Sequence, residues 1–310
     1  MVWRCQENPN LETISMTGIL LGLAGALSWG IADLFARFAT RRLGTFRTML
    51  YMQLCGFLFL TSLMRPLGGW GPLTDGSGWQ PWAWGVLAGL LNTTSTLALY
   101  RSFEIGKLAI VAPISASYPV LTMLLSTLTG ERLTLIRLAG LLLAIAGVVL
   151  VAGGVKAAEH ADPGGHHTRH GKEQLGVGWA LLSALGFGVM FWLLGMRVVP
   201  LLGSAPSVWT IRLTSVVATA LAMLVSRRAL TAPSRRNLPW IFGVGLLDTG
   251  AYLLNNSGMQ LEQTSVVSVL ASLYGAVTVG LAAVFLRERV SWMQWLGIVA
   301  IFVGIVLISR

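Results

Sequence analysis

Long apolar runs alternate along the chain with short polar breaks, and the length of the runs is the first informative quantity. A helix rises 1.5 Å per residue, so roughly 20 mainly apolar residues cross a bilayer. Ten stretches fit that requirement: 17–37, 48–64, 82–103, 109–129, 135–153, 176–196, 206–225, 239–260, 265–286 and 292–309. The breaks hold turn formers and charge, among them Gly68-Gly69-Trp70-Gly71-Pro72, Ala232-Pro233-Ser234 and Arg287-Glu288-Arg289. Trp82, Trp84, Trp240, Trp292 and Trp295 fall near the starts of runs, where an interfacial aromatic belt is expected. The pattern predicts an all-α polytopic membrane protein with ten transmembrane helices. A polar leader, 1–16, precedes the first run, and Met16 is an alternative start. The first run is too long for the apolar region of a secretory signal. The one long polar segment, 154–175, leaves five runs on each side, 17–153 and 176–310.

The two sides look like repeats of one another. Glu131-Arg132 and Glu288-Arg289 are offset by 157 residues (288 − 131), and the same offset pairs Ser115 with Ser272, Gly140 with Gly297 and Gly147 with Gly304. An offset of 158 aligns Ala26-Leu27-Ser28-Trp29-Gly30 with Ala184-Leu185-Gly186-Phe187-Gly188. Five spans is an odd number, so the second unit enters the bilayer in the opposite sense to the first. Two inverted five-helix repeats are an arrangement of secondary transporters, with the substrate site near the midplane between them.

Composition narrows the class. Of 310 residues, 11% are charged and 55% hydrophobic, and the mean hydropathy is +0.71. A soluble domain carries about a quarter charged residues, so lipid is the expected solvent for most of this surface. Thirty-six glycines allow close helix approach in a membrane. The net charge of +10 resides in short loops, without a basic stripe interleaved with aromatics, so nucleic acid is not an expected partner. Cys5 and Cys55 lie in the leader and in an apolar run, which suits neither a disulfide framework nor a zinc knuckle. No P-loop, His-Glu-x-x-His helix or Gly-x-Ser-x-Gly elbow occurs, which speaks against a self-contained ATP pump and the commoner hydrolases. No cofactor is expected. His160, His166, His167 and His170 share the 154–175 segment, read as a solvated linker with metal binding as the alternative.

The chain resembles the drug/metabolite transporter superfamily, in its ten-span EamA type. The resemblance rests on Trp29-Gly30, on Gly130-Glu131-Arg132-Leu133 and on Gly140 to Gly147. In the second half it rests on Arg287-Glu288-Arg289-Val290 and Gly297 to Gly304. It implies a basket of spans 1–4 and 6–9 around a central cavity, with spans 5 and 10 at the periphery. It also implies export of amino acids, metabolites or drugs from the cell, often coupled to protons, and cytoplasmic termini. On the last point the charges disagree. With Arg37, Arg47, Arg101 and Arg212 set aside as within or near spans, loops 1–2, 3–4, 5–6, 7–8 and 9–10 carry twelve Lys/Arg against six in the termini and the other loops, which by the positive-inside rule places the termini outside.

The candidate site residues are polar and aromatic positions inside the runs. Trp29, Asp33 and Arg37 share one face of span 1, where Asp33 either pairs with Arg37 or serves as a proton-titrating carboxylate. In span 8, Asp248, Tyr252, Asn255 and Met259 form a stripe, read as cavity lining with an interhelical hydrogen-bond seam as the rival. Span 3 offers Asn92, Ser95, Thr96 and Tyr100, and spans 4 and 9 offer Ser115, Tyr118, Ser272 and Tyr274. Pro119 is placed to kink span 4. Phe187 and Phe191 occupy the matching part of span 6, and Arg212 lies deep enough to meet a carboxylate. The expected solute-binding set is Trp29, Asp33, Asn92, Ser95, Tyr118, Asp248, Tyr252, Asn255 and Tyr274, with Asp33 and Asp248 as proton-coupling candidates. Glu131 and Glu288 are read as wet loop charges. The expected partners are a small organic solute and the lipid bilayer, in a monomer or homodimer. The Gly140/Ala144/Gly147 face is read as helix packing, with a dimer seam as the alternative.

Overall fold

The computed structural model describes residues 16–76, 78–129, 134–160, 167–227, 231–261, 264–288 and 290–308. Glu131, Arg132 and Arg289 lie outside them, as do the side chains of the four histidines. The described residues form helices and turns without a strand. The main helices are α1 (Met16–Leu43), α2 (Thr45–Met64), α3 (Gln80–Ile105), α4 (Leu108–Ser115), α5 (Pro119–Leu128) and α6 (Leu135–His160). The second half supplies α7 (His167–Leu193), α8 (Ser204–Val225), α9 (Leu238–Leu261), α10 (Thr264–Ser272), α11 (Tyr274–Leu281) and α12 (Trp292–Ile308). Seven helical stretches are long and apolar enough to cross a membrane. α3 and α9 have the length, with 26 and 24 residues, yet fall outside that group. They are the two helices that carry the longest polar stripes.

Three boundaries differ from the sequence pattern. α1 runs on to Leu43 and α2 starts at Thr45, with only Gly44 between them at φ 82°. That left-handed conformation turns the chain in one residue, and glycine adopts it without Cβ strain. The run 109–129 is two helices. Pro119 has no N–H to offer the preceding turn and sits at the first position of α5, after a break at Ala116–Tyr118. The run 265–286 is interrupted as well, at Leu273, and a π-helical segment, Ala282–Leu286, follows α11. The two breaks follow Ser115 and Ser272, the pair related by the 157-residue offset. Helical backbone also extends into 154–175 from both ends, reaching His160 and resuming at His167.

Packing joins early helices to late ones: α1 lies on α9, α3 on α7, α2 on α8 and α6 on α12. The α6–α12 contact is made by glycines. A Cβ on Gly147 would stand 2.6 Å from the Gly297 carbonyl oxygen, and one on Gly304 would stand 2.5 Å from the Ala144 nitrogen. The small-residue face read from the sequence is thus an internal seam. The outer faces of this pair are apolar and open, with Leu142 60% and Val149 64% exposed, as suits lipid contact. Trp292 and Trp295 are exposed at the start of α12. Trp240 is not a belt residue of that kind, because it packs on Phe35 and Phe38, 5.3 and 4.8 Å between ring centroids, with Arg42 above its ring.

The seam leaves no room for a side chain. Gly304→Val is expected to destabilise the fold by about 1–3 kcal/mol, the usual cost of overpacking. Gly178→Ala, where an added Cβ meets nothing within 4 Å, is expected to leave the unfolding midpoint unchanged or slightly higher. Thermal unfolding of the purified protein in detergent separates the two, and equal midpoints would contradict the seam.

Candidate functional site

The polar stripes of α3 and α9 converge beside α1 and α7, and a cavity opens where they meet. Its walls are Trp29, Ala32 and Asp33 of α1, Thr96, Leu99 and Tyr100 of α3, and Phe187 and Phe191 of α7. Asp248 and Tyr252 of α9 complete it, with Tyr118 and Tyr274 from the two helix breaks. The cavity proper is small, about 40 Å³, and opens at one side. Both broken helices therefore point an aromatic ring at the same volume. Tyr118 is held there by donating from Oη to the Ser268 carbonyl, 3.0 Å.

The aromatic lining is a single packed set. The Trp29 ring meets Tyr252 edge-on at 5.1 Å and Phe191 at 5.9 Å, and Tyr118 stacks on Phe191 at 4.6 Å. Such pairs contribute about 0.5–1.5 kcal/mol each beyond their buried area, which fixes the wall in place. Tyr252 is held from behind, where its Oη donates to Asn92 Oδ1 at 2.7 Å and Asn92 donates to Ser215 of α8 at 3.1 Å.

The two carboxylates have different surroundings. Asp248 Oδ2 accepts from Arg212 of α8 at 2.6 Å, and Oδ1 accepts from the Trp29 indole at 2.9 Å. Arg212 is fully buried and also donates to Gln53 of α2 at 2.6 Å, and its guanidinium lies 5.2 Å above the Tyr252 ring. Gly56 makes this room, because a Cβ there would lie 3.3 Å from Arg212 Nε and collide with Thr249. Asp33, also buried, accepts a hydrogen bond from the Thr278 hydroxyl at 2.9 Å. It does not pair with Arg37, one of the two readings of span 1.

Arg37 is engaged one turn further along α1. It donates to the carbonyls of Phe103 and of Gly106, the latter at 2.6 Å, and pairs with Glu288 at 3.0 Å. The second Glu288 oxygen accepts from the Ala109 backbone N–H at 2.9 Å. The ion pair thus caps the last carbonyls of α3 and the first amides of α4, where helix dipoles favour a cation and an anion respectively. Glu288 is 11% exposed, so it is not the wet loop charge that its position suggested. Arg101 does behave as a surface residue, half open and paired with Glu104 at 3.0 Å.

Six of the nine expected site residues meet at the cavity: Trp29, Asp33, Tyr118, Asp248, Tyr252 and Tyr274. Three do not. Asn92 supports Tyr252 from the second layer. Ser95 sits in the α3–α7 contact, where it donates to the Leu91 carbonyl at 2.6 Å and fills the space left by Gly186. Asn255 is fully buried in a closed seam beside Asn256 and Met259, with Oδ1 unpartnered. The α9 stripe shares one face, but Asn255 lies about 10 Å along it from Asp248 at 1.5 Å per residue, beyond the cavity. Gln53 and Thr278 were missed, although each is a polar residue in an apolar run, the signal that marked the others.

Comparison with known proteins agrees with this architecture. A protein of known crystal structure superposes with a TM-score of 0.67 at 18% identity, over 94% of this chain and 97% of that one, so the two share a fold. The transporter YxxF of Bacillus subtilis, described as uncharacterized, is 28% identical over 211 residues, 67% of this chain and 64% of that protein. An uncharacterized transporter of Archaeoglobus fulgidus is 34% identical over 76 residues, 24% of this chain and 28% of that protein. The chain therefore aligns with less than two thirds of the length of either. An uncharacterized protein of Methanocaldococcus jannaschii is 28% identical over 137 residues, which are 96% of its length and 44% of this chain. The profile of the EamA-like transporter family matches twice, at 16–153 and at 174–310. Seven apolar helices of membrane-crossing length and two family matches that together span nearly the whole chain lead to one conclusion: this multi-pass membrane protein belongs to the EamA-like transporter family.

Proposed function

We propose that the protein is a secondary active transporter, a proton-coupled exporter of small organic solutes such as amino acids, related metabolites or amphipathic drugs. It works by alternating access between two inverted repeats of five membrane-spanning helices. The observation that carries this reading is the cavity itself. Helices from both family matches wall it, its lining is mostly aromatic, and two carboxylates face it. Apolar walls with a few placed polar groups are what an organic solute needs.

Two further features support the reading. The pairs α1–α9 and α7–α3 exchange when the halves are exchanged, while α2–α8 and α6–α12 map onto themselves. That is the packing expected of units related by a twofold axis, and a relative about one unit long fits a duplicated origin. Breaks in α4–α5 and α10–α11 supply points at which each half can bend beside the solute.

Of the two carboxylates, Asp33 is the better proton carrier, because no cation is bonded to it, whereas Asp248 is committed to Arg212. In liposomes, an imposed pH gradient is expected to drive saturable accumulation of a solute by the wild-type protein. Absence of gradient-driven flux across a panel of amines, amino acids and drugs would count against the transporter reading. Asp33→Asn is expected to keep its fold and lose the response to the gradient, with solute exchange continuing only at higher solute concentration. Accumulation by that variant at the wild-type level would remove Asp33 from the coupling role.

Asp248→Asn should behave differently, since it leaves Arg212 charged and buried without a counter-ion. A loss of about 3 kcal/mol is expected, with most of it recovered in the Asp248→Asn/Arg212→Met double variant. Additive losses in thermal unfolding would show that the pair is not the unit that matters.

A further inference from the structure

We propose that the cavity selects organic monocations, amines or quaternary ammonium compounds bearing an apolar group, with their charge against Asp33. This narrows the transporter reading to amphipathic cations and sets zwitterionic amino acids aside, and only the movement of the ligand, not its binding, rests on that reading.

The argument begins with a count of charges. Among the described residues, two carboxylates line the cavity and no Lys, Arg or His does. Asp248 is neutralised by Arg212, which is fully buried behind Tyr252 and does not reach the lining. Among the described residues, Asp33 is bonded to the neutral Thr278 hydroxyl alone, on one oxygen. Arg37, the nearest cation along α1, is held by Glu288 and by the carbonyls that end α3. When Asp33 is ionised, the lining, counting Arg212, carries a formal charge of −1 located at Asp33. A carboxylate out of water without a cation is unfavourable, and a cationic ligand supplies what the protein withholds.

The lining also suits the rest of such a ligand. Aromatic faces carry negative potential, and a cation within about 6 Å of a ring centroid is attracted to it. The site already contains one instance, the Arg212 guanidinium 5.2 Å over Tyr252. Edge-on contacts lock Trp29 against Tyr252 and Phe191, so the rings are ordered before a ligand arrives. An anion or a zwitterion would bring a carboxylate with no free cation to receive it. With a neutral solute a proton has to compensate Asp33 instead, and no charge attraction adds to the affinity.

The test is binding to the purified full-length protein in detergent, using one ring with three charges: benzyltrimethylammonium, benzyl alcohol and phenylacetate. Titration calorimetry is expected to give saturable binding of the cation at least tenfold tighter than of the other two. Asp33→Asn should weaken the cation at least tenfold, and Asp33→Glu should retain most of the affinity. No saturable cation binding by the wild type, equal affinity for the alcohol or the carboxylate, or undiminished binding by folded Asp33→Asn would each overturn the proposal. The charge series on the wild type decides the matter even if a variant fails to fold. Cation binding without transport in liposomes would overturn the transporter reading and leave the site standing. Transport of another solute with no cation binding would do the reverse.

Discussion

Asp248 accepts one hydrogen bond from Arg212 and one from Trp29, and through those contacts and Gln53 four helices are tied around a single carboxylate. In a low-dielectric interior the attraction between such charges is large, but so is the cost of removing them from water, and only a fully bonded arrangement comes out ahead. The demands of this knot explain neighbouring residues that otherwise look arbitrary. Gly56 and Gly245 let α2 and α9 approach, and Gln53 accepts from one nitrogen of a guanidinium that has no solvent, while Arg212 Nε finds no partner among the described residues. Tyr252 takes its place because Arg212 covers one side of its ring and Asn92 holds its hydroxyl. The aromatic wall of the cavity is then the far side of an electrostatic arrangement.

A second buried ion pair works on a different principle. Arg37 and Glu288 bond to each other and also to the helix ends they cap, carbonyls for the cation and an amide for the anion. Because Glu288 follows the α11 segment and Arg37 belongs to α1, the joint between α3 and α4 is completed by residues distant in sequence. The end of the bundle toward Arg37 is thereby held together by polar contacts, while the Trp29 level is held by ring packing.

Much of this was legible in the sequence because membranes punish polar residues without a purpose. Asp33, Asp248 and Tyr252 stood out in apolar runs for that reason, and the structure brings them to one cavity. Helix face alone could not say where along the face the cavity ends, so Asn255 was grouped with Asp248 although it lies in a closed seam. Ser95 failed for a related reason: spacing places a hydroxyl on a face but not against Gly186 of another helix. The fate of Glu288 was hidden because adjacency to two arginines suggested a wet loop, whereas its partners, Arg37 and the Ala109 amide, lie 251 and 179 residues away. The helix breaks were half visible, with Pro119 as a signal in one and no comparable residue at Leu273 in the other.

The glycine seam between α6 and α12 has a mechanical consequence. At Gly140, Gly147, Gly297 and Gly304 backbone lies close to backbone, with Val151, Ile301 and Leu307 packed directly beside it. Sliding or separation along that line would break many short contacts at once, while a small rotation about it would break few. Of the movements open to α6 against α12, turning about that line is therefore the least costly.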